Sequence, residues 1–246
     1  MTSDLKDHYD IAHFIDTFAL GHYARVLDAV DQHTRQLLAF KVMRQEHLNG
    51  AELRWEYRAF PHEAELLMRL ADNPSVVRLH DCGYIESTSD SPTDGGMVSY
   101  GKNVRAFALE AREYGAKGWR PYLALENLPR AHNLLYLMKP SRPDVRWRLP
   151  SEEGIALAMQ FATLLQLAHK NGIVYLDHKL EHVYWDGQRL RVIDLNSSRV
   201  LENNLNDDAQ IRTDIHNLCV GILYPIFTGL SPLKTALRAQ PSSMQE

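Results

Sequence analysis

The chain has 246 residues, 45% apolar and 24% charged, enough to bury a full core. A net charge of −4 and a pI near 6.3 provide no basic surface for nucleic acid or an anionic membrane. Residues 1–10 are polar and no apolar run approaches the roughly 20 residues of a membrane span, so the expectation is a cytoplasmic protein without a leader or membrane partner.

The first element with chemical content is a hairpin at residues 20–26, with Gly21 in the turn and Val26 on the outgoing strand. Backbone N–H groups in such a turn can cover phosphates, and a glycine permits the close approach. A strand follows at residues 37–43, where Ala39 and Lys41 alternate with Leu38, Phe40 and Val42. Pro61 fits a first helical position, and Glu63, Leu66, Leu67 and Leu70 recur at helical spacing behind it. Glu65 lies two positions along and points elsewhere on that helix. Residues 73–79 read as the next strand.

Between Ile85 and Pro121 the chain is poor in apolar residues and contains Asp94-Gly95-Gly96. That composition predicts a long loop, mobile in part, with a short helix or strand over 104–113. A strand at 121–125 then runs into Glu126, Asn127, Leu128 and Pro129. Ser151 supplies a hydroxyl cap, and Glu152 and Glu153 favour the positive end of the helix it opens. Ile155, Ala158, Phe161, Leu164, Leu165 and Ala168 form the apolar face, and Asn171-Gly172 stops the helix.

Residues 167–196 carry the strongest signal. Ile173 and Val174 lead into Asp177, Lys179 stands two positions on, and a turn at Asp186-Gly187 joins two short strands. The second strand delivers Asp194, seventeen positions after Asp177. Two carboxylates and an ammonium at the ends of buried strands suit Mg²⁺ or Mn²⁺ and phosphoryl transfer. His178 and His182 are four apart but have no third ligand at zinc spacing. The two cysteines, Cys82 and Cys219, each in an apolar context, are expected to be reduced core thiols.

Seven segments in this order, with a last one at residues 212–224, resemble the eukaryotic-type Ser/Thr protein kinase-like superfamily, in a divergent and C-terminally shortened form. The resemblance implies an α+β, two-lobed kinase-like fold. Residues 1–125 would be a small β-rich lobe, and 126–246 the hinge and a shortened helical lobe. It implies ATP and Mg²⁺ or Mn²⁺ as cofactors. Gly21, Val26, Ala39, Lys41, Glu63, Glu126, Leu128 and Tyr184 would hold the nucleotide, with Glu63 as the partner of Lys41 and Leu125 as the gatekeeper. Asp177 would act on an acceptor hydroxyl, Lys179 on the transferring phosphoryl, and Asp194 and His182 on the metal. Asn133 would reach the ribose, and Asp214 would anchor the catalytic loop.

Several positions depart from the pattern. His182 replaces the metal-binding asparagine, and Leu176 the arginine that reads activation-loop phosphorylation. Only seventeen residues separate Asn196 from Asp214, without an Ala-Pro-Glu motif, and little chain follows, as in a minimal lobe or a fragment of a longer protein. The acceptor is a serine or threonine of a protein or a small-molecule hydroxyl. The non-enzymatic alternative is a pseudokinase acting as a binding module.

Overall fold

A computed structural model describes residues 2–14, 23–48, 54–138, 148–202 and 207–229. The chain divides into two compact units, one formed by Met1–Ala71 with Val77–Leu128, the other by Asp72–Val76 with Pro129–Glu246.

The first unit is built on a seven-stranded antiparallel sheet: β1 (Ser3–Asp4), β2 (Tyr9–Phe14), β3 (Ala24–Asp31), β4 (Leu37–Met43), β5 (Leu79–Ile85), β6 (Gly96–Ser99) and β7 (Arg120–Glu126). Their order across the sheet is β1-β6-β5-β7-β4-β3-β2. A single helical turn, α1 (Leu5–His8), separates the first two strands. The two-residue period of β4 sends Leu38, Phe40 and Val42 into a core shared with Leu5, Tyr9, Ile11, Leu27 and Tyr122. Ala39 and Lys41 consequently face the other way, as does Val26, paired with Lys41. Asp81 ties the sheet together from within, accepting from the Tyr9 and Tyr122 hydroxyls (2.8 and 2.6 Å), Ser99 Oγ (2.7 Å) and the Gly101 N–H (2.8 Å).

Helix α2 spans Trp55–Arg69. Pro61 is therefore inside the helix and not at its first position, a correction to the sequence reading. Its missing N–H leaves the Tyr57 carbonyl without its helical bond, but Tyr57, Phe60, Glu63, Leu66 and Leu67 are all buried, and their packing carries the helix through. The segment expected as a long loop also supplies strand β6, while the short element expected over 104–113 is a helix pair, α3 (Val104–Leu109) and α4 (Ala111–Ala116). Tyr84 stacks on Tyr114 at 4.6 Å and touches Phe107 at 4.9 Å, giving these short helices an aromatic core of their own.

The second unit contains α5 (Leu134–Leu137), α6 (Ser151–Lys170), α7 (Asp207–Asn217) and α8 (Tyr224–Thr228), with a π-helical stretch at Leu218–Leu223. Two small ribbons complete it: β9 (Val183–Trp185) with β10 (Leu190–Val192), and β8 (Ile173–Val174) with β11 (Arg199–Val200). Helix α6 corrects two expectations. Its cap residue is Pro150, without a side-chain bond, while Ser151 is already helical and exposed. Its first buried residues are Gly154 and Leu157, with Ile155 55% exposed. Gly154 packs so closely that an added Cβ would lie 2.7 Å from the Phe227 ring. Cys82 is buried but Cys219 is exposed, so only the first is a core thiol. No helix of the described residues is long and apolar enough to cross a membrane.

Candidate functional site

In the first unit, Lys41 Nζ lies 2.7 Å from Glu63 Oε2, with Lys41 6% and Glu63 0% exposed. The strand fixes the lysine and the helical period fixes the glutamate; Glu65, two positions along, is exposed. The ammonium also sits 5.8 Å above the Tyr23 ring. Val26 and Ala39 are half-buried on the Lys41 face, and Ala39 pairs with Leu125, which is buried. The Glu126 N–H donates to the Arg78 carbonyl at 2.9 Å, and Leu128 lies two residues on. Gly21 lies outside the described residues.

In the second unit, Asp177, Lys179, His182 and Asp194 come together. Lys179 Nζ donates to Asp177 at 2.9 Å. Burial opposes the charge on Lys179, but its bond to Asp177 prevails and raises the ammonium pKa. His182 lies between the two carboxylates, its Nδ1 3.3 Å from Asp177 Oδ2 and its Nε2 3.5 Å from Asp194 Oδ2. The His182 backbone holds the same geometry, donating to Lys179 O at 3.0 Å and accepting from the Ile193 N–H at 3.0 Å.

The backbone here is strained. Leu176 and Asp194 are non-glycine residues at φ 63° and 62°. Asp214, fully buried, supports the first of them. It accepts from the Tyr175 N–H at 2.9 Å, the Leu176 N–H at 2.7 Å and His169 Nε2 at 2.8 Å. Asn217 Nδ2 donates to the Leu176 carbonyl at 3.3 Å. A Cβ on Gly221 would come 2.4 Å from the His178 carbonyl oxygen, so the π-helical stretch reaches the loop only through a glycine. His178 itself points into the core, stacked on Phe161 at 5.4 Å, and burial pushes its pKa down to about 4 against the pull of Asp214 and Asp177.

Sequence reasoning did not assign His169, Asn217 or Gly221, all of which act through backbone or second-partner contacts invisible in a motif. It misassigned Asn133. That side chain is buried, caps α5 through the Leu135 N–H (3.0 Å) and donates to the Glu181 carbonyl (2.8 Å), which leaves it a structural residue and not a ribose contact. Tyr184 is half-buried on β9, bridged through its backbone to Asn133, and burial raises its phenol pKa. The two histidines of this loop, His178 and His182, diverge, and no cluster of three or more metal-type ligands occurs among the described residues. A single carboxylate–imidazole pair 3.5 Å apart still suits a divalent ion completed by phosphates and water.

The segment after Asn196 is held closely. Ser198 is buried with its hydroxyl on the Tyr175 carbonyl at 2.9 Å, and the Leu201 N–H reaches Gly172 O at 2.7 Å. Phosphorylation at exposed Ser197 is expected to change activity by less than about twofold, because Leu176 cannot bond a phosphate. Comparing Ser197→Glu and Ser197→Ala checks this, and a severalfold gain in the glutamate variant would contradict it.

No family model matches the chain. Among solved structures, the kinase PK-1 of the Cydia pomonella granulovirus aligns over 92% of this chain and 72% of its own, with a TM-score of 0.57 and 16% identity. The chain therefore has a protein kinase-like, mixed α+β fold, and at that identity the likeness is one of fold alone.

Proposed function

We propose that the protein is an ATP-dependent phosphotransferase that moves the γ-phosphoryl group to a hydroxyl, a serine or threonine of a protein. The observation that carries this reading is the convergence of Asp177, Lys179, His182 and Asp194 on a loop whose strained backbone is fixed by Asp214. Holding a left-handed leucine costs free energy, and strain of this kind collects at working sites.

Each group has a task its surroundings allow. Asp177, its carboxylate mostly shielded, accepts the acceptor proton, and its bond to Lys179 holds both in place. Lys179 presents its ammonium to the phosphoryl being transferred. Asp194 and His182 are the residues that would hold Mg²⁺ or Mn²⁺, with imidazole favouring the manganese. Bound metal would neutralise the phosphate charge. Lys41, oriented by Glu63, binds the nucleotide phosphates, while Val26, Ala39, Glu126 and Leu128 receive the base. Gly21 would cover the phosphates.

One observation favours a second reading, a nucleotide-binding pseudokinase. The His182 ring already touches both carboxylates and could serve as their fixed counter-group. Turnover of ATP with Mg²⁺ and with Mn²⁺ separates the two. The expected result is activity with a Mn²⁺ preference, lost about 10³-fold in Asp177→Asn, and a shift toward Mg²⁺ in His182→Asn. Nucleotide binding without turnover in either metal, and no rescue in His182→Asn, would establish the pseudokinase.

A further inference from the structure

The segment between β5 and β6 makes a set of contacts that the nucleotide reading leaves unused. Arg120, at the start of β7, is fully buried, yet it carries a guanidinium. Its Nε donates to the Ser87 carbonyl at 2.8 Å, one terminal nitrogen to the Met43 carbonyl at 2.9 Å, and the other to the Ser89 carbonyl. The carboxylate this buried charge faces is Asp90, 3.9 Å away, and burial pulls the guanidinium pKa down to about 10 against that attraction. Arg120 thus folds the loop at residues 87–90 over the end of β4, two residues past Lys41.

The loop then reaches β3. Asp90 Oδ2 receives Nε of Arg25 at 3.0 Å and its terminal nitrogen at 2.9 Å, a two-point grip, while Asp90 Oδ1 accepts from the Gln45 N–H at 3.4 Å. Arg25 pairs with Val42 across the ladder, and the next residue, Val26, pairs with Lys41. Successive residues of a strand face opposite sides. Asp90 accordingly grips β3 from the side opposite Val26 and Lys41, at the second described residue of that strand. The contact can stiffen the strand without occupying the face that receives a nucleotide.

We propose that Asp90 is a positioning residue for the nucleotide: through Arg25 it fixes β3, and so places Val26 and the strand pair that carries Lys41. The inference rests on the phosphotransferase reading. Asp90 itself touches no nucleotide. Its part is to convert the insertion between β5 and β6 into a strap on the phosphate-covering hairpin.

The test uses the full chain with Asp90→Asn and, from the other side of the contact, Arg25→Gln. Backbone hydrogen exchange is followed on β3 without nucleotide, and affinity is read by titration with a fluorescent ATP analogue and Mg²⁺. Each variant should speed exchange on β3 about tenfold and weaken nucleotide binding about fivefold. The double variant should do no more than either single one. KM for ATP should rise while kcat at saturating ATP stays within about twofold, a split that general destabilisation would not produce. If Asp90→Asn does not fold, Arg25→Gln alone decides. Unchanged exchange, unchanged affinity, additive effects, or a fall in kcat matching the rise in KM would each overturn the proposal. A wild type that binds no nucleotide overturns the proposed function instead, and the exchange experiment still decides whether the strap fixes β3.

Discussion

Asp214→Asn is expected to lower stability by about 3 kcal/mol and turnover by about 100-fold. The carboxylate is fully buried and accepts from two consecutive backbone amides and one imidazole. An amide of the same shape keeps one acceptor oxygen but turns an NH₂ group toward a donor, so at least one buried N–H loses its bond. The Leu176 amide belongs to a residue at φ 63°, and without that bond the strained peptide can relax. Asp177 follows directly, so its carboxylate would leave the geometry set by Lys179 and His182. His169→Gln removes only the imidazole partner, and its effect should be smaller on both counts. Urea denaturation and steady-state turnover check the pair. A wild-type rate in Asp214→Asn would show that the loop does not depend on this anchor.

What the sequence disclosed about the fold was carried by short-range signals. Lys41 in an alternating strand, the long period of residues 151–170 and the stop at Asn171-Gly172 each depend on neighbours a few positions away, and Gly172 takes the positive φ of 66° that such a stop requires. The insertion was misread for the opposite reason. Strand β6 is four residues of modest apolar content, and its partners are β5 and the N-terminal β1, the latter more than ninety positions earlier. Nothing local distinguishes Gly96–Ser99 from a loop. The start of α2 was missed because proline preference at a first turn is a statistical tendency, whereas the burial of Tyr57 and Phe60 is a property of the folded unit.

The candidate site divides in the same way. Asp177, Lys179 and Asp194 could be singled out because the motif places them at fixed spacing within residues 167–196. The resemblance also put His182 beside Asp194, but its simultaneous contact with Asp177 was not legible, since it depends on the return of β10 beside the loop at 177–182. The supporting contacts of His169, Asn217 and Gly221 are longer range still. Each meets the loop through a backbone atom or through Asp214, and residue type alone leaves no trace of such a contact.

Lys41→Met is expected to weaken nucleotide binding at least about tenfold and to destabilise the fold by about 3 kcal/mol. Both effects come from one contact, the 2.7 Å pair with a glutamate that is fully buried. Removing the ammonium leaves the Glu63 carboxylate in an apolar setting beside Leu66 and Leu67, where its charge is costly. The two effects separate when the glutamate is removed as well. A hydrophobic pair of similar volume commonly restores, or exceeds, the stability of a buried ion pair. Lys41→Met combined with Glu63→Leu should therefore regain most of the lost denaturant midpoint, while nucleotide binding remains lost because no cation is left to meet the phosphates. That divergence identifies Lys41 as a ligand-binding residue and not merely a core residue. If the double variant recovers binding together with stability, the pair is structural and the nucleotide phosphates are held elsewhere. If Lys41→Met alone leaves affinity unchanged, the same conclusion follows without the second substitution.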